Sequence, residues 1–147
     1  MDISVWFLTV FVLIWIAGPV TQLLFLVAPK LHHKLGMTED GALEPEFRWF
    51  LLDEKAIAIA DMTYLISGGA FIWLALLGDD ASLIFGLYNC ACYVYVATLA
   101  ISRWLLFGKN RLSPISKRQL PMYMAYMGFS IVFGVYGLFY LWGLAQA

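Results

Sequence analysis

Asp61 is the residue whose type and position point most directly to chemistry. It lies in the run 56–78, which holds no other charged residue. A carboxylate at such a depth in hydrocarbon costs about 2.5–3.5 kcal/mol on insertion scales unless it is paired or protonated. Asp61 is therefore predicted to bind a proton or a substrate. The structural alternative is an ion pair with Arg103 or a hydrogen bond from Tyr126.

Other polar residues recur at a depth similar to that of Asp61. Together with Asp61, three of them lie within roughly two turns of the inner membrane boundary, about 5–10 Å at 1.5 Å rise per residue. These three are Gln22, Arg103 and Tyr126. Helical spacing places Glu54 and Tyr64 on the face of Asp61, and Tyr93 on the face of Arg103. We therefore expect a polar pocket in the inner half of the protein, below a mostly aromatic outer half.

Aromatic side chains offer a second kind of site within the same interior. A lipophilic molecule such as a quinone, a pigment or a lipid tail could stack on Trp15, Tyr93, Tyr126 and Tyr140. The alternative is that these rings fill the core and the membrane interfaces. The sequence does not identify which ligand or cofactor would be bound.

Metal and nucleophile motifs are weak or missing. His32 and His33 are adjacent, with Glu39 and Asp40 nearby, but no second pair stands at ligand spacing. No metal site is therefore predicted, and the two histidines are expected at a partly solvated interface. The sequence also lacks a phosphate-binding glycine loop and a nucleophile with an identified base. We assign no catalytic residues and do not expect an enzyme.

Composition identifies the solvent of the protein. The chain has 147 residues, of which 63 % are hydrophobic and 13 % charged, with a formal net charge of −1. Soluble domains carry about 25 % charged residues. These values exclude a disordered chain, a basic nucleic-acid-binding protein and a disulfide-rich secreted scaffold. The length fits one domain, 1–147, that is mostly surrounded by lipid.

Four long apolar runs predict the architecture. They cover residues 3–29, 56–78, 81–102 and 119–147. A chain in lipid must satisfy its backbone hydrogen bonds within each segment, so we predict an all-α integral membrane four-helix bundle. Its helices are expected at about 3–28, 46–77, 82–107 and 115–144, with a loop at 29–45. Pro19 should kink the first helix, and the turn at Gly78-Asp79-Asp80 should make the second and third antiparallel neighbours.

The basic residues predict the orientation. All nine Lys and Arg residues fall in or beside the first and third loops, and the ends of the chain and the second loop have none. The positive-inside rule therefore places both termini on the non-cytoplasmic side and loops one and three in the cytoplasm. We expect a multi-pass membrane protein, with a bacterial inner membrane as its location.

Three function classes are compatible with this sequence. The first is a non-enzymatic accessory subunit or a binder of a lipophilic small molecule. One alternative is a proton-coupled transporter that uses Asp61 and Arg103. The other is a membrane enzyme that acts on a lipid at the cytoplasmic interface, with Glu54 and Asp61 as acid and base and His32 or His33 assisting. The expected partners are the lipid bilayer and either further copies of the chain or a larger membrane complex, with no nucleic acid.

Overall fold

In a computed structural model, the structure is described for residues 3–39, 42–110, 112 and 114–146, and these contain helices and turns without a strand. The elements are α1 (Val5–Trp15), a π-helical turn (Ile16–Val20), α2 (Thr21–Val27), α3 (Pro29–Lys34), a 3-10 turn (Pro45–Phe47), α4 (Arg48–Leu76), α5 (Ser82–Lys109) and α6 (Leu120–Ala145). The predicted all-helical class is thereby confirmed.

Four helical segments are long and apolar enough to cross a membrane. They are Val5–Val27, Pro45–Leu76, Ser82–Lys109 and Leu120–Ala145. Large apolar side chains such as Ile66, Phe139 and Val5 are exposed on the outside of the bundle. Such an apolar surface is solvated poorly by water but well by lipid tails. The surface is therefore consistent with a multi-pass membrane bundle.

Pro19 interrupts the first membrane-length helix, as its position predicts. It lies in the π-helical turn Ile16–Val20. Because proline has no N–H, the preceding turn loses a donor for one of its carbonyl groups. Two side chains donate to carbonyls of this region: the Tyr126 hydroxyl to Ile14 (3.3 Å) and the Thr21 hydroxyl to Ala17 (2.9 Å). The irregular turn is thus stabilised from α6 as well as from within its own helix.

The turn between α4 and α5 has the conformation that its sequence predicts. Gly78 has a φ of 70°, a left-handed value that favours glycine. The Asp79 N–H donates to the Leu74 carbonyl (3.0 Å) and the Gly78 N–H to the Ala75 carbonyl (3.1 Å), which completes a Schellman motif. The short turn makes α4 and α5 antiparallel neighbours, and α5 in turn packs against α6.

The half of the bundle near this turn, which we call the aromatic half, is filled by aromatic and aliphatic side chains. Its buried cluster includes Phe7, Phe11, Phe71, Phe133 and Leu141. The Phe7 and Phe133 rings stack with their centroids 5.1 Å apart, and Phe11 meets Phe71 at 4.4 Å. The other half, which we call the basic end, adjoins the segments 28–47 and 110–119.

Two boundaries at the basic end differ from the expected ones. The loop expected at 29–45 contains α3, because Pro29 fixes a helical φ and occupies the favoured first position of a helix. The fourth long helix begins at Leu120 rather than near 115, with Pro121 in its first turn. In the connection before this helix, Ser113 lies outside the described residues, and Pro114 lies in an irregular segment.

Candidate functional site: a polar cavity at the basic end

A cavity of about 540 Å³ occupies the basic-end half of the bundle. Its walls come from the π-helical turn and α2, from α4, α5 and α6, and from the segment 32–39, which folds over one side. Its ionisable, hydroxyl and amide side chains belong to Thr21, Gln22, His32, Glu39, Glu54, Asp61, Tyr64, Tyr93, Arg103, Tyr123, Tyr126 and Ser130. The remaining wall is mainly apolar.

The structure brings most of the sequence-predicted site residues to this cavity. Seven of them contribute to its wall: Gln22, Glu54, Asp61, Tyr64, Tyr93, Arg103 and Tyr126. Trp15 does not, because its indole fills the space above Gly68 on α4, where a Cβ atom would overlap the ring. The indole N–H donates to the Leu65 carbonyl at 3.0 Å. Trp15 is thus a packing residue between α1 and α4 in this structure.

Arg103 is held by two carboxylates from the start of α4. Its Nη2 lies 2.5 Å from Asp53 Oδ2, and its Nη1 lies 2.7 Å from Glu54 Oε1. The guanidinium carbon also lies 5.7 Å and 5.5 Å from the ring centroids of Phe50 and Phe107, within cation–π range. The guanidinium is therefore fixed by carboxylates and by aromatic rings.

The predicted pairing of Asp61 with Arg103 is wrong for this structure. The stagger of the antiparallel helices α4 and α5 places Arg103 opposite Asp53 and Glu54, two turns before Asp61. Asp61 is only 5 % exposed, and the hydroxyl of Tyr64, one turn further along α4, is the side-chain group that interacts with its carboxyl. Among the described residues no cationic group lies within ion-pair distance of Asp61.

The predicted hydrogen bond from Tyr126 to Asp61 is also replaced. The Tyr126 hydroxyl donates to the Ile14 carbonyl and lies close above Gly18, where a Cβ atom would come within 2.7 Å of it. Gly18 therefore leaves the space that this hydroxyl occupies. Tyr126 connects α6 to the first helix at the edge of the cavity.

His32 reaches the cavity from α3, contrary to the solvated position expected for both histidines. It is 8 % exposed, its Nδ1 lies 3.0 Å from the Thr38 hydroxyl, and its ring centroid lies 5.2 Å from that of Phe25. Burial, with a smaller contribution from His33, lowers the pKa of His32. His32 is thus neutral at pH 7, whereas His33 is exposed.

Glu39 is a wall residue that the sequence did not single out. Burial, reinforced by the negative charge of Glu54, raises the pKa of Glu39 to about 7, although Arg103 opposes the shift. Protonated and ionised forms of this carboxyl are therefore both populated near neutral pH. No helical or strand pattern marks Glu39, because it approaches the cavity through the fold of the loop.

Tyr93 presents a buried polar atom to the same interior. The residue is 4 % exposed, and its ring packs against Phe11 and Tyr64 with centroid distances of 5.6 and 6.2 Å. Its hydroxyl has no hydrogen-bond partner among the described residues. A buried hydroxyl without a partner costs about 1–3 kcal/mol. A ligand or water in the cavity could remove that cost.

Comparison with protein-family models, with curated proteins and with solved structures finds no match for this chain. Within the described part of the chain, no three His, Cys, Asp or Glu side chains are grouped so that they could hold a metal ion.

Proposed function

We propose that this chain is a multi-pass membrane protein that binds a lipophilic small molecule in its basic-end cavity. The observation that carries the proposal is the cavity of about 540 Å³ between the helices and the segment 32–39. Small-molecule sites typically measure about 300–1,000 Å³ and combine mainly apolar walls with a few polar groups. The cavity has this size and this composition.

The contrast between the two halves of the bundle supports this proposal. Protein interiors are normally packed without such voids, and an empty cavity lowers stability in proportion to its volume. The aromatic half follows that rule, since Phe7, Phe71 and Leu141 fill the spaces beside Gly86 and Gly137. The basic-end half does not, although the small residue Ala100 lies in its wall. Space kept open among polar groups is typical of a binding site.

A cavity-filling substitution tests the proposal. Ala100→Trp would place an indole in the cavity, and Ala91→Trp would place one on the exposed side of the same helix. We expect solvent extracts of purified wild type and of Ala91→Trp to contain the same small molecule in near-stoichiometric amount by mass spectrometry. The Ala100→Trp protein should lack it. Identical extracts from all three proteins would contradict the proposal, provided that all three elute as single peaks in detergent.

We also propose that the basic end faces the cytoplasm. Eight of the nine Lys and Arg residues of the sequence belong to described segments at or beside this end, and such residues are retained on the cytoplasmic side of a membrane. Both termini would then be outside. Alkaline phosphatase fused to the C-terminus should be active in bacterial cells. If that fusion is inactive and a fusion of green fluorescent protein to the same terminus is fluorescent, the orientation is the reverse.

The other two function classes receive less support from the geometry. The transporter alternative needs Asp61 and Arg103 to exchange charge, yet Arg103 is engaged by Asp53 and Glu54. The lipid-enzyme alternative needs Glu54 and Asp61 as acid and base, and Glu54 is an ion-pair partner. A binding site requires neither role, so it is the function that these contacts favour.

A further inference from the structure

The cavity has more negative than positive groups in its wall. Glu39, Glu54 and Asp61 contribute carboxyls, whereas Arg103 is the one Lys or Arg among the described wall residues. Arg103 is already shared between Glu54 and Asp53. Within the described residues, Arg103 forms no ion pair with Asp61 or Glu39, although its charge opposes the rise of the Glu39 pKa.

Neither of the remaining carboxyls has a cationic partner elsewhere in the described structure. The ion pairs found there join Arg103 to Asp53 and Glu54. His32 lies in the wall but is held neutral by its burial and by His33. An isolated buried carboxylate is costly, and a bound cation would relieve that cost.

The Tyr93 hydroxyl is an independent sign of a missing ligand. Its side chain is more than nine-tenths buried, lines the cavity, and has no hydrogen-bond partner among the described residues. Its oxygen can accept a hydrogen bond from a protonated amine. Tyr64, whose hydroxyl interacts with the Asp61 carboxyl, packs against the Tyr93 ring, so the two tyrosines lie between the carboxyl and this unpartnered hydroxyl.

The apolar wall determines what the remainder of the ligand must be. Phe25, Trp104 and Tyr126 contribute aromatic side chains to the cavity, beside the tyrosines of α4 and α5. Aromatic faces attract cations as well as apolar groups. A small inorganic cation would leave most of this wall uncovered, and an anion would meet the carboxyls.

We propose that the ligand of this cavity is a lipophilic organic cation of the amine or onium class, with its positive group against the Asp61 carboxylate and its apolar part against the aromatic wall. This inference rests on the proposed function, since it names the ligand class of the same cavity. Glu39, near Glu54 on the loop side, adds to the attraction for the positive group.

Two ions of the same shape and opposite charge test the inference. Tetraphenylphosphonium and tetraphenylborate should be compared by equilibrium dialysis against the purified protein in an uncharged detergent at pH 8. We expect saturable binding of tetraphenylphosphonium at one site, at least tenfold tighter than that of tetraphenylborate. Asp61→Asn should weaken cation binding at least tenfold, and Glu39→Gln should weaken it by a smaller factor.

Control variants separate this inference from the proposed function. Glu46→Gln removes an exposed negative charge near the same end of the bundle and should leave binding unchanged. If both ions bind equally and Ala100→Trp abolishes both, the cavity is a ligand site but not a cation site, which overturns only the inference. Cation binding that Asp61→Asn and Glu39→Gln do not change also overturns it. If neither ion binds, the inference fails, and the extraction experiment still decides the proposed function.

Discussion

Removal of the Arg103 guanidinium should destabilise the bundle through Glu54 far more than through Asp53. The side chains of Arg103 and Glu54 are each 16 % exposed, whereas that of Asp53 is 47 % exposed. Breaking a buried ion pair by removing one partner costs about 3–5 kcal/mol, and an exposed pair contributes about 0.2–1 kcal/mol. Because Glu54 can take up a proton when its partner is lost, we expect Arg103→Gln to cost about 2–4 kcal/mol near pH 8.

A double-mutant cycle can assign this loss to its partner. The free energy of unfolding would be measured by titration with sodium dodecyl sulfate in mixed micelles, followed by circular dichroism. The proteins are wild type, Arg103→Gln, Glu54→Gln and the double variant, with Asp53→Asn in a parallel cycle. We expect a coupling above about 1.5 kcal/mol for Glu54 and below about 1 kcal/mol for Asp53. The Glu54→Gln substitution should also restore much of the stability lost in Arg103→Gln.

Two results would refute this reasoning. If Arg103→Gln costs less than about 0.5 kcal/mol, the guanidinium extends to the lipid headgroups and the two ion pairs contribute little. If the two cycles give equal couplings, the difference in burial between Glu54 and Asp53 does not govern the energy.

Two further predictions concern packing and pH. Gly134→Ala should lower the free energy of unfolding by about 1–3 kcal/mol, because its Cβ would lie 2.7 Å from the carbonyl oxygen of Cys90. Gly128→Ala on the same helix meets open space and should raise it by up to about 1 kcal/mol. Equal unfolding free energies for the two variants would contradict this. The pKa of Glu39 is raised from 4.5 to about 7, so the folded protein holds this proton more tightly than the unfolded chain. As the pH rises from 4.5 to 7, the free energy of unfolding should therefore fall by up to about 3 kcal/mol. Glu39→Gln should flatten that part of a melting-temperature profile, and an unchanged slope would show that other groups produce it.

The helical architecture could be predicted because lipid leaves few alternatives. Long uncharged runs must satisfy their backbone hydrogen bonds internally, which requires helices. The rise per residue of a helix is constant, so counting along the chain gives depth. Gln22, Asp61, Arg103 and Tyr126 come from four different membrane-length segments, and all of them line one cavity.

The partners of these residues could not be predicted, because they depend on stagger and rotation between helices. Asp53 and Asp61 lie on one helix two turns apart, and a shift of α5 along α4 decides which of them meets Arg103. The sequence around Trp15 likewise does not indicate that its ring packs above Gly68 instead of lining the cavity.

The positions of the loop residues of the site, His32 and Glu39, could not be predicted from the sequence either. The segment that carries His32 and Glu39 is held by distant contacts: the Gln119 side chain donates to the Thr38 carbonyl (3.4 Å) and the Tyr123 hydroxyl to the Met37 carbonyl (3.3 Å). Contacts between residues so far apart in sequence leave no periodic pattern to detect.

The position of the cavity follows from how small residues are paired across the bundle. In the aromatic half, large side chains fill the space beside several glycines, as at Gly86, where a Cβ atom would lie 2.7 Å from both Leu141 and Phe71. At the basic end, Ala100 lies in the cavity wall without such a filler. Larger apolar side chains there would stabilise the bundle by burying more surface. A sequence that instead keeps this space open, and places an unpaired carboxyl in its wall, departs from the packing rule at the point where a binding site is expected to do so.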